Sequence, residues 1–218
     1  MNRPDLGVWA VADGAGGHAD GQHAAKLLAE ALEALPPGLS GAGLLAEVRG
    51  RILSVHEALH EEATRRSGQV IASTIVVLLA RDDHYACLWA GDSRAYLCRD
   101  GILTQITRDH TLVQELVDAG IIGEEEAEGH PQANVITRAV GASGELELEK
   151  ASDRFAAGDR FLLCSDGFSK TVPEAGISAL LADSSVESAD HLLPDALTSR
   201  AKDNVTVVVI DVTDAPPQ

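Results

Sequence analysis

Four aspartates, each at one end of an apolar run, are the residues of this chain best suited to chemistry: Asp13, Asp92, Asp166 and Asp203. Three of them have a neighbouring glycine, which lets the backbone approach a ligand closely. A single Asp-Gly pair most often only shapes a turn, but strand ends are where binding residues gather. Carboxylates brought together at a sheet rim repel one another unless a cation lies between them. Because Mg²⁺ and Mn²⁺ prefer oxygen ligands, the pattern favours a divalent metal site.

The elements that must position these aspartates come in blocks of helices and strands. Apolar residues at helical spacing predict helices over His18–Leu35 and Leu44–Arg66, and Pro36-Pro37-Gly38 ends the first. Shorter helices are predicted near Pro173–Leu181 and Val186–Arg200. β-Branched or alternating runs predict the strands, namely Val8–Ala12, Val70–Ala80, Tyr85–Ala90, Arg94–Cys98, Ile102–Ile106, Glu145–Glu149, Phe161–Cys164 and Val205–Val212. This order predicts an α+β fold with antiparallel sheets covered by helix pairs, rather than a βαβ alternation.

One long polar segment interrupts the strands. Leu112–Glu128 is polar and helix-prone, and Gly129-His130-Pro131 ends the segment. We expect residues 112–131 to form a mobile lid, with Glu124-Glu125-Glu126 on its solvated face.

Composition excludes several classes of protein. The 218 residues are 45% hydrophobic, which is a globular rather than a disordered proportion. The 17 basic and 34 acidic side chains give a net charge of −17, which disfavours nucleic acid and anionic lipid as partners. No apolar run approaches the roughly 20 residues that span a bilayer. The chain has three cysteines, an odd number without a metal-binding spacing: Cys87, Cys98 and Cys164. This usage is typical of a reducing compartment and predicts the cytoplasm.

Four short motifs of this chain resemble the ordered motifs of a known enzyme family. They are Val11–His18 (VADGAGGH), Gly91–Arg94 (GDSR), Cys164–Phe168 (CSDGF) and Asp203–Thr206 (DNVT). In this order they resemble the metal-dependent Ser/Thr protein phosphatases, the PPM or type 2C family. Thr107–Thr111 and the end of the lid are similar to the bacterial members. The resemblance implies one domain over residues 1–218, a four-layer αββα sandwich in which two central antiparallel β-sheets are flanked by helix pairs.

The resemblance also implies metals in a cleft at one edge of the sandwich. By motif, Asp13 would bridge two ions and Gly14 would offer its carbonyl, while Asp166 and Asp203 would complete the pair. Asp92, together with Asp166, would hold a third and weaker ion. Two or three Mn²⁺ or Mg²⁺ ions per chain are therefore expected.

The activity that the resemblance implies is hydrolysis of phosphoserine and phosphothreonine on proteins. A phosphomonoester is a dianion and a poor electrophile, so it needs positive charge beside it. Two cations about 4 Å apart can neutralise it and lower the pKa of a bridging water, so that hydroxide attacks phosphorus in line. The expected partners are phosphorylated proteins, substrates of a bacterial Ser/Thr kinase. The expected state is a cytoplasmic monomer without nucleic-acid or membrane contacts.

The chain departs from the family pattern near its N-terminus. Relatives begin with another strand, which carries an Arg for the substrate phosphate and then a Glu-Asp pair that supports a metal through water. Here only Met1–Gly7 precedes the first core strand, so the first strand is expected to be missing and this segment to be a loop of a shortened chain. Arg3 and Asp5 fall too close to the core strand to replace the lost groups. At Ala15, where relatives carry His or Met, no general acid is available.

Other interpretations remain beside catalysis. The departures favour an inactive phosphatase-like module that binds metal and holds phosphoproteins or a partner kinase. Gly14–Ala19 also fits a dinucleotide-binding fingerprint. Cys164 and Lys170 have the spacing of a cysteine-phosphatase loop, but with Lys in place of Arg, so a core thiol is expected. His56 and His60 have the i, i+4 spacing of a zinc helix, although a partly exposed helical face is the simpler expectation.

Overall fold

The computed structural model describes residues 1–15, 18–66, 68–127, 129–142, 144–182 and 204–213 of the chain. Within these ranges the strands, in chain order, are β1 (Asn2–Arg3), β2 (Val8–Val11), β3 (Gly14–Ala15), β4 (Ala72–Ser73), β5 (Ile75–Arg81), β6 (His84–Ala90), β7 (Arg94–Arg99), β8 (Ile102–Gln105), β9 (Glu149–Arg154), β10 (Arg160–Cys164) and β11 (Val207–Asp211). The helices are α1 (His18–Glu33), α2 (Gly41–Arg65), α3 (Leu112–Asp118), α4 (Glu124–Ala127), α5 (Asp166–Ser169) and α6 (Glu174–Ala182).

Two antiparallel sheets form the centre of the fold. The first has the strand order β1-β2-β5-β6-β9 and the second β11-β10-β7-β8, while β3 and β4 form a small ladder of their own. Helices α1 and α2 cover the outer face of the first sheet, and α6 packs on the outer face of the second. The predicted α+β sandwich, with helices outside two antiparallel sheets, is therefore confirmed. The predicted helix Val186–Arg200 lies outside the described residues.

Strand β5 shows how the layers are joined. Its alternate side chains pack in opposite directions, three toward α1 and α2 and two into the space between the sheets: Ile75, Val77 and Leu79, and then Val76 and Leu78. All five are at most 4% exposed. A strand that is buried on both faces has no polar alternation, which explains the nearly uniform apolar run seen in the sequence.

The N-terminal residues form an edge strand rather than the predicted loop. Arg3 pairs with Val8, and the Met1 ammonium donates to the Ala10 carbonyl at 2.9 Å. The Arg3 guanidinium donates to both carboxylate oxygens of Asp5 and to the carbonyl of Glu33. Because Arg3 lies beside the first residue of β2, it is at the opposite end of that strand from Asp13.

Two other segments differ from the sequence-based prediction. Glu145–Glu149 is irregular as far as Leu148, and the strand begins only at Glu149. Leu146 and Leu148 are buried in the helix–sheet core, so their alternation reflects one-sided burial without strand pairing. The segment predicted to be a lid forms two short helices, α3 and α4, and Gly120 adopts a φ of +66° between them. None of the helices in the described ranges combines the length and apolar character that a membrane-spanning segment requires.

Candidate metal centre

The strand directions bring the aspartates to one edge of the sandwich. Strands β2 and β6 both run antiparallel to β5, so they end on the same side of the first sheet. Asp13 follows β2 by two residues, and Asp92 follows β6 by two residues. The topology therefore places the first two motifs together, as the sequence analysis predicted from strand ends.

Asp13 is held by its backbone. The Thr74 N–H donates to the Asp13 carbonyl at 2.8 Å, and the Ser73 hydroxyl donates to the same oxygen at 2.9 Å. The Asp13 N–H in turn donates to the Thr74 hydroxyl at 3.1 Å. Because the Asp13 carbonyl oxygen already accepts two hydrogen bonds, the carboxylate is the group of Asp13 that could bind a metal ion.

Gly14 offers a carbonyl at the rim. It pairs with Ser73, but the N–H and carbonyl of Ser73 both bond to Val140, so the Gly14–Ser73 pair is of the non-hydrogen-bonded type. The Gly14 carbonyl therefore points away from β4. A Cβ on Gly14 would lie 2.2 Å from the carbonyl carbon of Gly21 in α1, and one on Gly21 would lie 2.7 Å from that of Gly14. Helix α1 can approach this backbone only because both positions are glycine.

Thr74 joins the first two motifs. Its hydroxyl oxygen, which accepts the Asp13 N–H, lies 2.7 Å from the hydroxyl oxygen of Ser93. Gly91 has a φ of +112°, and a Cβ there would come within 2.6 Å of the Thr74 Cβ. The loops that carry Asp13 and Asp92 thus pack on one threonine, which is 2% exposed.

Lys170 lies between the second and third motifs. Its ammonium is 2.7 Å from a carboxylate oxygen of Asp166, 3.6 Å from one of Asp92, and 2.8 Å from the side-chain oxygen of Asn134. Asp92 is 4% exposed, and burial together with the negative charge of Asp166 raises its pKa to about 6 although Lys170 opposes the shift. Burial lowers the pKa of Lys170, but the two carboxylates outweigh that effect and the net shift is upward.

The fourth motif approaches Asp166 through Ser165. The Ser165 N–H donates to the Thr206 carbonyl at 3.0 Å, and the Thr206 N–H donates to the Ser165 hydroxyl at 3.1 Å. The same hydroxyl lies 3.5 Å from the Asn204 carbonyl. Asp203, the aspartate of this motif, lies outside the described residues.

His110 supports the loop that carries Asp92. Its Nδ1 accepts the Gly91 N–H at 3.1 Å, and its own backbone N–H donates to the Gly91 carbonyl at 3.0 Å. Since Nδ1 accepts, the ring proton lies on Nε2, which is 3.1 Å from a carboxylate oxygen of Glu149. Burial, followed by the positive charge of Arg138, lowers the pKa of His110.

The described residues contain no group of three Asp, Glu, His or Cys side chains arranged to hold a metal ion. Within them, Asp92 and Asp166 meet at Lys170, and Asp13 meets the Asp92 loop at Thr74. Sequence reasoning missed the contacts of Thr74 and Lys170. Only the contact of Lys170 with Asp166 carried a usable signal, because the two residues are four positions apart and would share a face of a helical turn.

The geometry disfavours the alternative sites. Cys164 is fully buried, which raises its pKa to about 12, so it is a core thiol and not a nucleophile. The His56 ring accepts the Gly141 N–H and contacts the Gly144 carbonyl, which uses both nitrogens within the fold. The segment after Asp13 forms β3 in an antiparallel ladder, and the first sheet is antiparallel, so it lacks the parallel βαβ unit that dinucleotides require.

The chain is similar to proteins of one family. The family profile described as "Protein phosphatase 2C" matches residues 3–199. The "Serine/threonine protein phosphatase PstP" of Mycobacterium tuberculosis is 42% identical over 207 residues, which are 94% of this chain and 40% of PstP. This chain thus spans less than half the length of that relative. The "Serine/threonine phosphatase stp" of Listeria monocytogenes is 31% identical, over 96% of this chain and 86% of its own length.

Solved structures agree with the sequence relatives. The protein PppA, described as a key regulatory component of the T6SS in Pseudomonas aeruginosa, has a TM-score of 0.88 at 40% identity, covering 97% of this chain and 88% of its own. The catalytic domain of PstP in complex with two manganese ions has a TM-score of 0.83 at 40% identity, covering 95% and 88%. Both similarities extend over nearly the whole chain.

Proposed function

The chain belongs to the protein phosphatase 2C family, and we propose that it removes phosphate from phosphoserine and phosphothreonine on proteins with the help of two divalent cations. The observation that supports this function is the meeting of three aspartate-bearing loops at one edge of the sandwich. Thr74 holds two of these loops together, and Lys170 lies between the carboxylates of the second and third.

The donors at this edge fit divalent ions. Burial is the largest cause of the raised pKa of Asp92, and the negative charge of Asp166 is the second. Neighbouring carboxylates raise each other's pKa in this way, and a bound cation would relieve their repulsion. The carboxylates of Asp13 and Asp166 and the carbonyl of Gly14 are the oxygens that would hold the ions. Asp203, outside the described residues, completes the set by its motif. Oxygen donors of this kind select Mg²⁺ or Mn²⁺.

The proposed reaction needs no protein nucleophile. When bound, a pair of divalent ions would neutralise the phosphate dianion and lower the pKa of a water molecule, so that hydroxide attacks phosphorus. The new bond joins the water oxygen to phosphorus, the ester bond to the serine or threonine oxygen breaks, and that oxygen leaves with a proton. The protein's own part is to hold Asp13, Asp92 and Asp166 rigidly at strand ends, where hydrogen bonds fix the backbone.

The surroundings of the reaction follow from the relatives and the composition. PstP and Stp are bacterial Ser/Thr phosphatases, so we propose phosphoproteins made by a bacterial Ser/Thr kinase as substrates. We further propose that residues 1–218 act as one monomeric domain, with a lid near 112–131. The three cysteines are free and buried, which supports the cytoplasm as the compartment. The net charge of −17 disfavours nucleic acid and anionic membrane surfaces.

Hydrolysis with and without metal tests this function. Purified protein freed of metal should hydrolyse p-nitrophenyl phosphate and a phosphothreonine peptide after Mn²⁺ is added, and EDTA should abolish both reactions. Mn²⁺-dependent binding of the peptide without hydrolysis would instead support the inactive module. Protein that neither binds nor hydrolyses the peptide in Mn²⁺ would contradict the proposal.

A further inference from the structure

Lys170 presents a cation to three oxygen atoms. Its ammonium lies 2.7 Å from Asp166, 2.8 Å from Asn134 and 3.6 Å from Asp92. The ammonium donates hydrogen bonds to Asp166 and Asn134, and Asp92 at 3.6 Å lies within ion-pair distance but beyond hydrogen-bond distance. The oxygens come from three separate parts of the chain, namely the β6–β7 loop, the segment after α4, and the start of α5.

The spacing in the sequence places the lysine there. Lys170 follows Asp166 by four residues, and its backbone N–H donates to the Asp166 carbonyl at 2.8 Å, so the two side chains lie on the same face of the turn. Asp92 approaches from the first sheet and is 4% exposed. Two carboxylates so close to each other need a positive charge between them.

The pair Asp92–Asp166 is the pair to which the family resemblance assigned a third metal ion. We propose that the Lys170 ammonium takes the place of that ion. This chain then binds two divalent cations, and the third cation of the site is a lysine side chain. The part of this inference that concerns the two remaining ions rests on the proposed function. Asp92 then serves as a counter-ion of Lys170 rather than as a metal ligand.

A covalent cation differs from a bound metal in three ways. It has a charge of +1 instead of +2, it has no exchangeable positions for water, and chelators do not remove it. It also joins the acidic pair to Asn134, which follows the lid segment, through a hydrogen bond of 2.8 Å. Lys170 therefore links the acidic pair to the segment around Asn134 through a contact that needs no metal.

Metal stoichiometry tests the inference. Equilibrium dialysis of the full chain against Mn²⁺, with metal counted by atomic absorption, should give two ions for the parent and for Lys170→Arg, which keeps the charge. Lys170→Asp, which adds a carboxylate to the pair, should give three. Lys150→Gln, at an exposed position of β9, is the matched control and should give two. Three ions in the parent, or two in Lys170→Asp, would overturn the proposal.

A measurement without metal separates this inference from the proposed function. In EDTA, Lys170→Gln should lower the melting temperature because the buried Asp92 loses its counter-ion, and adding Asp92→Asn should restore most of the loss. An unchanged melting temperature in Lys170→Gln, or no recovery in the double variant, would count against the role of Lys170. A parent that binds no Mn²⁺ but shows this recovery would overturn the two-metal function and leave the Lys170–Asp92 pairing supported.

Discussion

The hydroxyl oxygen of Thr74 lies 2.7 Å from the hydroxyl oxygen of Ser93, and it also accepts the N–H of Asp13. One buried side chain thus fixes both the loop that carries Asp13 and the loop that carries Asp92. Thr74→Val keeps the shape but leaves a buried N–H and a buried hydroxyl without this partner. We expect the free energy of unfolding to fall by about 1–3 kcal/mol and the affinity for Mn²⁺ to fall with it. Urea unfolding and a Mn²⁺ titration measure the two effects.

The control for this change is Thr104→Val on the exposed face of β8, which should alter neither quantity. Equal stability of Thr74→Val and the parent would show that the hydroxyl contacts contribute nothing to the loops.

Removing one negative charge from a proposed ligand should abolish most of the activity. Asp13→Asn and Asp166→Asn keep the side-chain volume but weaken the attraction for the ions, so the Mn²⁺-dependent kcat should fall roughly 100-fold or more. Circular dichroism should show an unchanged fold. Asp100→Asn is the control, because Asp100 has a φ of +52° in the β7–β8 turn, a conformation that Asn also adopts readily. Parental turnover by Asp166→Asn would remove Asp166 from the metal site.

The contact between Gly21 and Gly14 should make an ordinarily favourable change harmful. Alanine is the better helix former, but a Cβ on Gly21 would lie 2.7 Å from the backbone of Gly14. We expect Gly21→Ala to destabilise the protein by about 1–3 kcal/mol and to weaken Mn²⁺ binding by shifting the rim. Gly50→Ala in α2, where a Cβ would meet nothing within 4 Å, should instead stabilise it by about 0.5–1 kcal/mol. If urea unfolding showed the same change in stability for Gly21→Ala and Gly50→Ala, the close contact between Gly21 and Gly14 would be contradicted.

Acid should weaken the His110 contact. The pKa of His110 is lowered in the folded protein, so the unfolded chain binds the proton more readily and stability falls as the pH drops below the ordinary value of about 6.5. Asp92, with a pKa raised to about 6, acts in the opposite direction, because the folded protein takes up its proton first. The stability difference between the parent and His110→Gln isolates the histidine. That difference should shrink from pH 7.5 to pH 5.5 in urea unfolding, and a constant difference would show that folding does not lower the pKa of His110.

The features that could be predicted from the sequence are those that depend on residues close together in the chain. Periodicity located α1, α2 and most strands because it reports burial along a few turns or residues. It failed at Glu145–Glu149, where two leucines are buried without pairing. The comparison with the family pattern failed at Met1–Gly7, which was expected to be a loop but pairs with β2 at the sheet edge. Of the motif aspartates, the structure brings Asp92 and Asp166 to one lysine and joins the Asp13 loop to the Asp92 loop, while the ligand roles stay predictions. The contacts of Thr74 with Asp13 and Ser93, and that of Lys170 with Asp92, join distant parts of the chain, and no pattern of neighbouring residues encodes them.

The bond between Asp13 and Thr74 has a consequence for the order of folding. The two residues are 61 positions apart, and helices α1 and α2 occupy the chain between them. The hairpins β5–β6 and β7–β8 close over a few residues and can form early, whereas β2 must wait until this long loop closes. We therefore expect the candidate metal centre to be among the last parts of the protein to assemble, so that a chain emerging from the ribosome acquires its acidic edge only after the sheet that carries it.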